Sequence, residues 1–176
     1  MRETFTDEEW ITLLQAPMQA IMGICLADRV DPVTFLQELR AGVTIVGEEL
    51  RRSDLVGQLT SALVASMAQI DAADALNGEQ LLLKKQFELL GTIQTFKSSK
   101  EGREAAIDHM QKVAAILEIR VTGEQANEFK AWLMAVAVKV AESQREGGIM
   151  GIGSSRISDR ESDVLKKMNT ALGLVV

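Results

Sequence analysis

The chain has 176 residues, 47% of them hydrophobic and 25% charged, with one cysteine and a formal net charge of −6. That length predicts a single domain over residues 1–176, large enough to bury about two thirds of its unfolded surface. Cys25 alone excludes an internal disulfide, and the acidic balance argues against a nucleic-acid partner, because phosphate-backbone affinity depends on clustered Lys and Arg releasing counterions. Two prolines and no tyrosine, with abundant Ala, Leu, Glu, Lys and Met, favour helix over sheet.

The opening segment Arg2-Glu3-Thr4-Phe5-Thr6-Asp7-Glu8-Glu9 is acidic where a signal peptide needs a basic start and an apolar core. The uncharged apolar stretches fall short of the ~20 residues of a membrane span. The expectation is a cytoplasmic protein with no integral membrane segment.

Taken in order, the first helix opens at Thr6, with Glu9 at capping-box spacing, Asp7 and Glu8 where the helix dipole favours negative charge, and Phe5 and Trp10 spaced as a hydrophobic staple. It runs through Leu13 and Leu14 to Pro17, which either kinks the helix or ends it and starts another. Ala20 and Gly23 beyond it leave room for close helix contact. The next break is Asp28-Arg29-Val30-Asp31-Pro32, with Asp31 as N-cap and Pro32 at N1. Behind it Val33, Leu36, Leu39, Val43 and Ile45 or Val46 recur at helical spacing.

A further helix is expected from near Ser53, carrying Leu55, Leu59, Leu63, Met67 and Ile70 as far as the turn dipeptide Asn77-Gly78. Asn77 with Gln80 again has cap spacing, and Leu82, Leu83, Phe87, Leu89, Leu90, Ile93 and Phe96 make a broad apolar face. Ser98 with Glu101 and Thr122 with Gln125 repeat the cap. The first precedes Ala106, Met110, Val113 and Leu117. The second precedes the stripe Phe129, Trp132, Leu133, Val136, Ala137 and Val140. Ser158 with Glu161 opens a last helix that closes at Gly173. With no period-two run, the fold class is all-α, a single bundle of about seven helices. Residues Thr6 to Leu39 and Thr122 to Met168 share an order of capped helix, early aromatic, break and second capped helix. Two related halves would produce that echo, and so would recurring helical grammar.

Between the last two helices lies a segment unlike the rest, Glu146-Gly147-Gly148-Ile149-Met150-Gly151-Ile152-Gly153-Ser154-Ser155-Arg156-Ile157-Ser158. Freed backbone amides at Gly148, Gly151 and Gly153, with Ser154, Ser155 and Arg156 just before a helix N-terminus, would suit an anion. Neither the dinucleotide nor the P-loop spacing is present. The favoured reading is a tight connector whose Ile149, Met150 and Ile152 plug the end of the bundle.

Asp28, Asp31 and Glu38 offer oxygens to a divalent cation, though capping by Asp31 explains the same pattern more simply. His109, the single histidine, excludes multi-histidine zinc sites and paired Glu-x-x-His motifs. Cys25 reads as a small buried hydrophobe, and the methionines, Met18 and Met67 among them, read as adaptable core, with a Met-lined ligand groove as the alternative. No catalytic residue and no cofactor is expected.

The stretch Ala27-Asp28-Arg29-Val30-Asp31-Pro32 followed by Phe35-Leu36-Gln37-Glu38-Leu39 resembles an inter-helix pattern of TerB-like proteins, the helical family named for tellurite resistance, with Arg29 where that pattern has glycine. Glu146 to Gly153 with Ser158, Glu161, Leu165, Ala171, Leu172 and Gly173 is similar to a C-terminal signature of small bacterial helical proteins. The resemblance implies an all-helical fold, a bacterial cytoplasm, and metal or stress-linked assembly through Asp28 and Asp31.

The function expected from these residues is a non-enzymatic protein-interaction module, self-associating or docking in a larger assembly through Ile149 and Met150 or through an apolar groove. Its alternatives are anion or small-metabolite binding at residues 147–156 and divalent-metal binding at Asp28 and Asp31.

Overall fold

The computed structural model describes residues 1–144 and 157–174. Among these, a short 3-10 turn (Arg2–Thr4) precedes seven helices: α1 (Asp7–Cys25), α2 (Pro32–Leu50), α3 (Gln58–Ala73), α4 (Gly78–Gln94), α5 (Ser99–Arg120), α6 (Gly123–Ser143) and α7 (Asp159–Ala171). The all-α bundle expected from periodicity is the one observed, and no strand occurs among the described residues. None of the described helices is long and apolar enough to cross a membrane.

Local chemistry sets the boundaries. Thr6, Asn77 and Ser158 form complete capping boxes with Glu9, Gln80 and Glu161, which satisfies amide donors that a helix start leaves without partners. The remaining two are half-boxes. Ser98 accepts from Glu101 N, but the Glu101 carboxylate takes Lys97 N instead. Thr122 accepts from Gln125 N, while Gln125 Oε1 is buried with no hydrogen-bond partner among the described residues. Phe5 and Trp10 close the staple on α1 with ring centroids 5.5 Å apart. At the far end Gly173 donates to Thr170 O and Leu174 N to Asn169 O, closing α7 as expected.

Helix α1 lies against α5 and α6, α2 against α4 and α6, and α7 against α5 and α6. One contiguous core results, with Leu13, Ile21, Leu39, Leu63, Met110 and Phe129 among its sequestered side chains. Gly23 lets α1 approach α7 and α5, since a Cβ there would stand 2.6 Å from Met168 Cε and 3.2 Å from Ala106 Cβ.

Two expectations change, and at Pro17 one of the two alternatives drops out. Pro17 neither ends α1 nor starts another helix, for α1 is continuous through it. Leu13, Ala16, Ala20 and Ile21 on either side are fully buried, and that packing outweighs the backbone hydrogen bond the proline removes. Helix α3 starts at Gln58, not near Ser53, because Gly57 takes φ +98°, a left-handed conformation that glycine adopts without strain. The broad apolar face of α4 is covered only in part: Leu82, Leu89, Leu90, Ile93 and Phe96 pack into or against the core, while Leu83 and Phe87 are exposed.

Candidate functional site

Helix α4 is held on one side only. Arg40 on α2 grips Glu79 through two bonds of 2.9 and 2.7 Å, Gln86 Nε2 donates to Leu36 O at 2.8 Å, and Leu89 enters the core. Only Gln86 and Leu89 are buried among its 17 residues. At about 3.6 residues per turn, Leu83, Gln94, Phe87, Gln80 and Gly91 fall in that order on the side next to these anchors, with Leu83 nearest to them and Gly91 furthest. Phe87 is 59% exposed and Leu83 40%, and a Cβ on Gly91 would meet nothing within 4 Å. Beside this face Lys84 is paired with Asp74 and lies 3.7 Å from Glu88.

The other flank of α4 borders a cleft of about 480 Å³ that opens where α1, α3 and α4 diverge above α2. Leu14, Met18, Val46, Leu50, Met67 and Leu89 supply apolar walls. The charged lining comes from α3 and α4, where Lys85 Nζ is 2.5 Å from Asp71 Oδ2 and Glu88 follows along α4, while Gln15 and Gln19 of α1 add neutral polar groups. Ile11 on α1 and Ile70 on α3 also line the cleft, 51% and 57% exposed.

The glycine-rich candidates Gly148, Gly151, Gly153, Ser154, Ser155 and Arg156, with Ile149 and Met150, lie outside the described residues. Asp31 is engaged as a cap: Oδ1 accepts from Thr34 N at 2.9 Å and Oδ2 from the Thr34 hydroxyl at 2.7 Å, and the first of these bonds is the main reason its carboxyl sits below the usual range. Asp28 accepts a 2.6 Å bond from the hydroxyl of Ser158, the N-cap of α7. The two aspartates therefore have separate structural duties, and no group of three or more His, Cys, Asp or Glu residues among the described residues is placed to hold a metal.

Cys25 is buried as expected, with Sγ 3.6 Å from Gln144 Oε1. Burial pushes its thiol up, and the nearby Glu38 and Glu161 charges add to the effect, which is the opposite of thiolate activation. His109 Nε2 lies 2.8 Å from Thr12 O. A carbonyl only accepts, so Nε2 carries the proton, and burial lowers the ring's affinity for a second one.

Sequence reasoning missed one polar centre. Glu49 is 3% exposed and accepts from Trp132 Nε1 at 3.0 Å, Arg52 at 2.8 Å and Lys139 Nζ at 2.5 Å. Burial pushes this carboxyl up, but the bonds from Lys139, Arg52 and Trp132 overcome it and hold Glu49 below the usual carboxylate range. The signal was present: Glu49 continues the register of Leu39, Val43 and Val46, while Trp132 and Lys139 are seven apart on one face of α6. All three donors bind the same carboxylate, so the arrangement ties α2 to α6.

Comparison of the chain with protein-family models, with curated proteins and with solved structures finds no match in any of the three. The likeness of Ala27 to Leu39 to the TerB-like pattern rests on those residues alone.

Proposed function

We propose that the protein is a cytoplasmic, non-enzymatic interaction module that associates with itself through α4. The observation that carries this reading is the exposed pair Leu83 and Phe87 on one face of a well-capped helix. Large apolar side chains side by side on a surface mark contact sites more often than single ones do.

The face is self-complementary. Two antiparallel copies of α4 related by a twofold axis at Phe87 bring Phe87 onto Phe87, Leu83 onto Gly91, and Gln80 onto Gln94. Gly91 leaves the space that Leu83 would fill. The same symmetry sets Lys84 of one copy near Glu88 of the other, giving the flank opposite charges across the seam. A contact built on one helix of about 25 Å, at ~1.5 Å per residue, is small, so association is weak and concentration-dependent.

Sedimentation velocity across a concentration series tests the reading. The wild-type chain should shift from monomer toward dimer, and Leu83→Ser with Phe87→Ser should stay monomeric while remaining folded by circular dichroism. A wild type that stays monomeric at millimolar concentration sinks the proposal. Dimerisation that survives the α4 pair but is lost in Ile149→Ser with Met150→Ser moves the contact to the glycine-rich segment.

A further inference from the structure

The cleft bordered by α1, α3 and α4 lies on the flank of α4 turned away from Leu83 and Phe87, and of its lining only Glu88 also borders the proposed seam. Its volume of about 480 Å³ falls within the ~300–1,000 Å³ of small-molecule sites, which are mostly apolar with a few converging polar groups. That is the composition here. Leu14, Val46, Leu50 and Leu89 make fixed walls, and Met18 and Met67 are unbranched side chains that repack around irregular guests.

The charges decide the headgroup. Asp71, Lys85 and Glu88 face the cleft, so two carboxylates meet one ammonium. Lys85 is joined to Asp71 at 2.5 Å, and the neighbouring Lys84 is paired with Asp74, reaching Glu88 only at 3.7 Å. A carboxylate or phosphate entering this cleft would have to draw Lys85 from Asp71, leaving two acids beside an apolar wall at a large desolvation cost. An entering ammonium meets the surplus of Asp71, Asp74 and Glu88 over Lys84 and Lys85, and shares Asp71 with Lys85 and Glu88 with Lys84 without stripping either lysine of its partner.

We infer that the cleft binds a lipophilic amine, a protonated primary amine carrying an apolar body. The body lies between Met18, Val46 and Met67, and the ammonium lies at Glu88 and Asp71.

Isothermal titration of the full chain with n-alkylammonium chlorides from butyl to decyl, and with 1-octanol and octanoate, tests this. Affinity should rise about fourfold per added methylene and then level off when the cleft is filled. Octylammonium should bind at least tenfold more tightly than octanoate. Glu88→Gln should weaken octylammonium severalfold and leave 1-octanol unchanged, and Thr92→Trp at the rim should block every probe while the helical spectrum is retained. Octanoate binding as tightly as octylammonium overturns the inference. So does a gain that never levels off, binding that persists in folded Thr92→Trp, or no binding of any probe.

Discussion

Helices α6 and α4 are of similar length and carry similar numbers of large apolar residues, yet they sit in the molecule in opposite ways. Helix α6 buries Phe129, Trp132, Leu133, Val136 and Val140, with α1, α2, α3, α5 and α7 all packed around it. Helix α4 packs chiefly against α2 and buries two residues. The difference lies in arrangement, not in apolar content. The apolar side chains of α6 fall where neighbours exist, whereas those of α4 make a wider face, of which Leu82, Leu89, Leu90 and Ile93 pack into or against the core and Leu83 and Phe87 do not. Helix α2 covers one side, with a lesser contact from α1 and an ion pair from Asp71 of α3. Among the described residues, Leu83 and Phe87 are the large apolar side chains of α4 left exposed.

The largest test of that contrast replaces an aromatic in each helix. Phe129 is fully buried, so Phe129→Ala should lower the unfolding free energy by about 3–5 kcal/mol. Phe87→Ala, measured by urea denaturation at a concentration where the chain is monomeric, should change it by no more than about 0.5 kcal/mol. Equal losses would break the comparison, because Phe87 would then be buried in solution.

Next in size is the tie between α2 and α6. Glu49→Gln keeps an acceptor for Trp132 but removes the charge that Lys139 and Arg52 address, and should cost about 2 kcal/mol near neutral pH. The pH dependence has a definite sign. The folded carboxyl titrates below its ordinary value, so its contribution is complete above the usual carboxylate range and is lost as pH falls through the lowered value. The gap between wild type and variant should therefore close in acid. A gap that stays constant from neutral to acid pH would show that Glu49 acts through packing alone.

The helix starts were legible because each cap is a pair three residues apart, read without knowing any neighbour. The burial of Leu39, Val43, Val46 and the α6 stripe was legible for a related reason: a narrow apolar stripe can face only one way. Helix α4 was not, since periodicity tells which residues share a face and leaves open whether anything covers it. The bond between Glu49 and Trp132 joins positions 83 apart, and the cleft forms where three helices diverge, so neither is encoded in local spacing. Asp31 was legible as a cap, whereas the partner of Asp28 lies 130 positions away and was not. Their oxygens are indeed engaged, by Thr34 and Ser158.

The smallest effect separates the stability of α4 from its use. Gly91 lies in a helix interior, where glycine costs about 1 kcal/mol relative to alanine, and nothing stands within 4 Å of the position a Cβ would take. Gly91→Ala should therefore raise the stability of the monomer by up to about 1 kcal/mol in urea denaturation. At Gly23 the same change meets Met168 Cε at 2.6 Å, and close packing should cancel or reverse the gain. In the proposed antiparallel dimer the open space at Gly91 would receive Leu83 of the second copy, so the added methyl should weaken dimerisation even as it strengthens the helix. A destabilised protein that dimerises less is ambiguous, because any unfolding lowers the concentration of competent monomer. A stabilised one that dimerises less leaves only the contact to blame, whereas unchanged dimerisation in Gly91→Ala would mean that the two copies do not meet at that glycine.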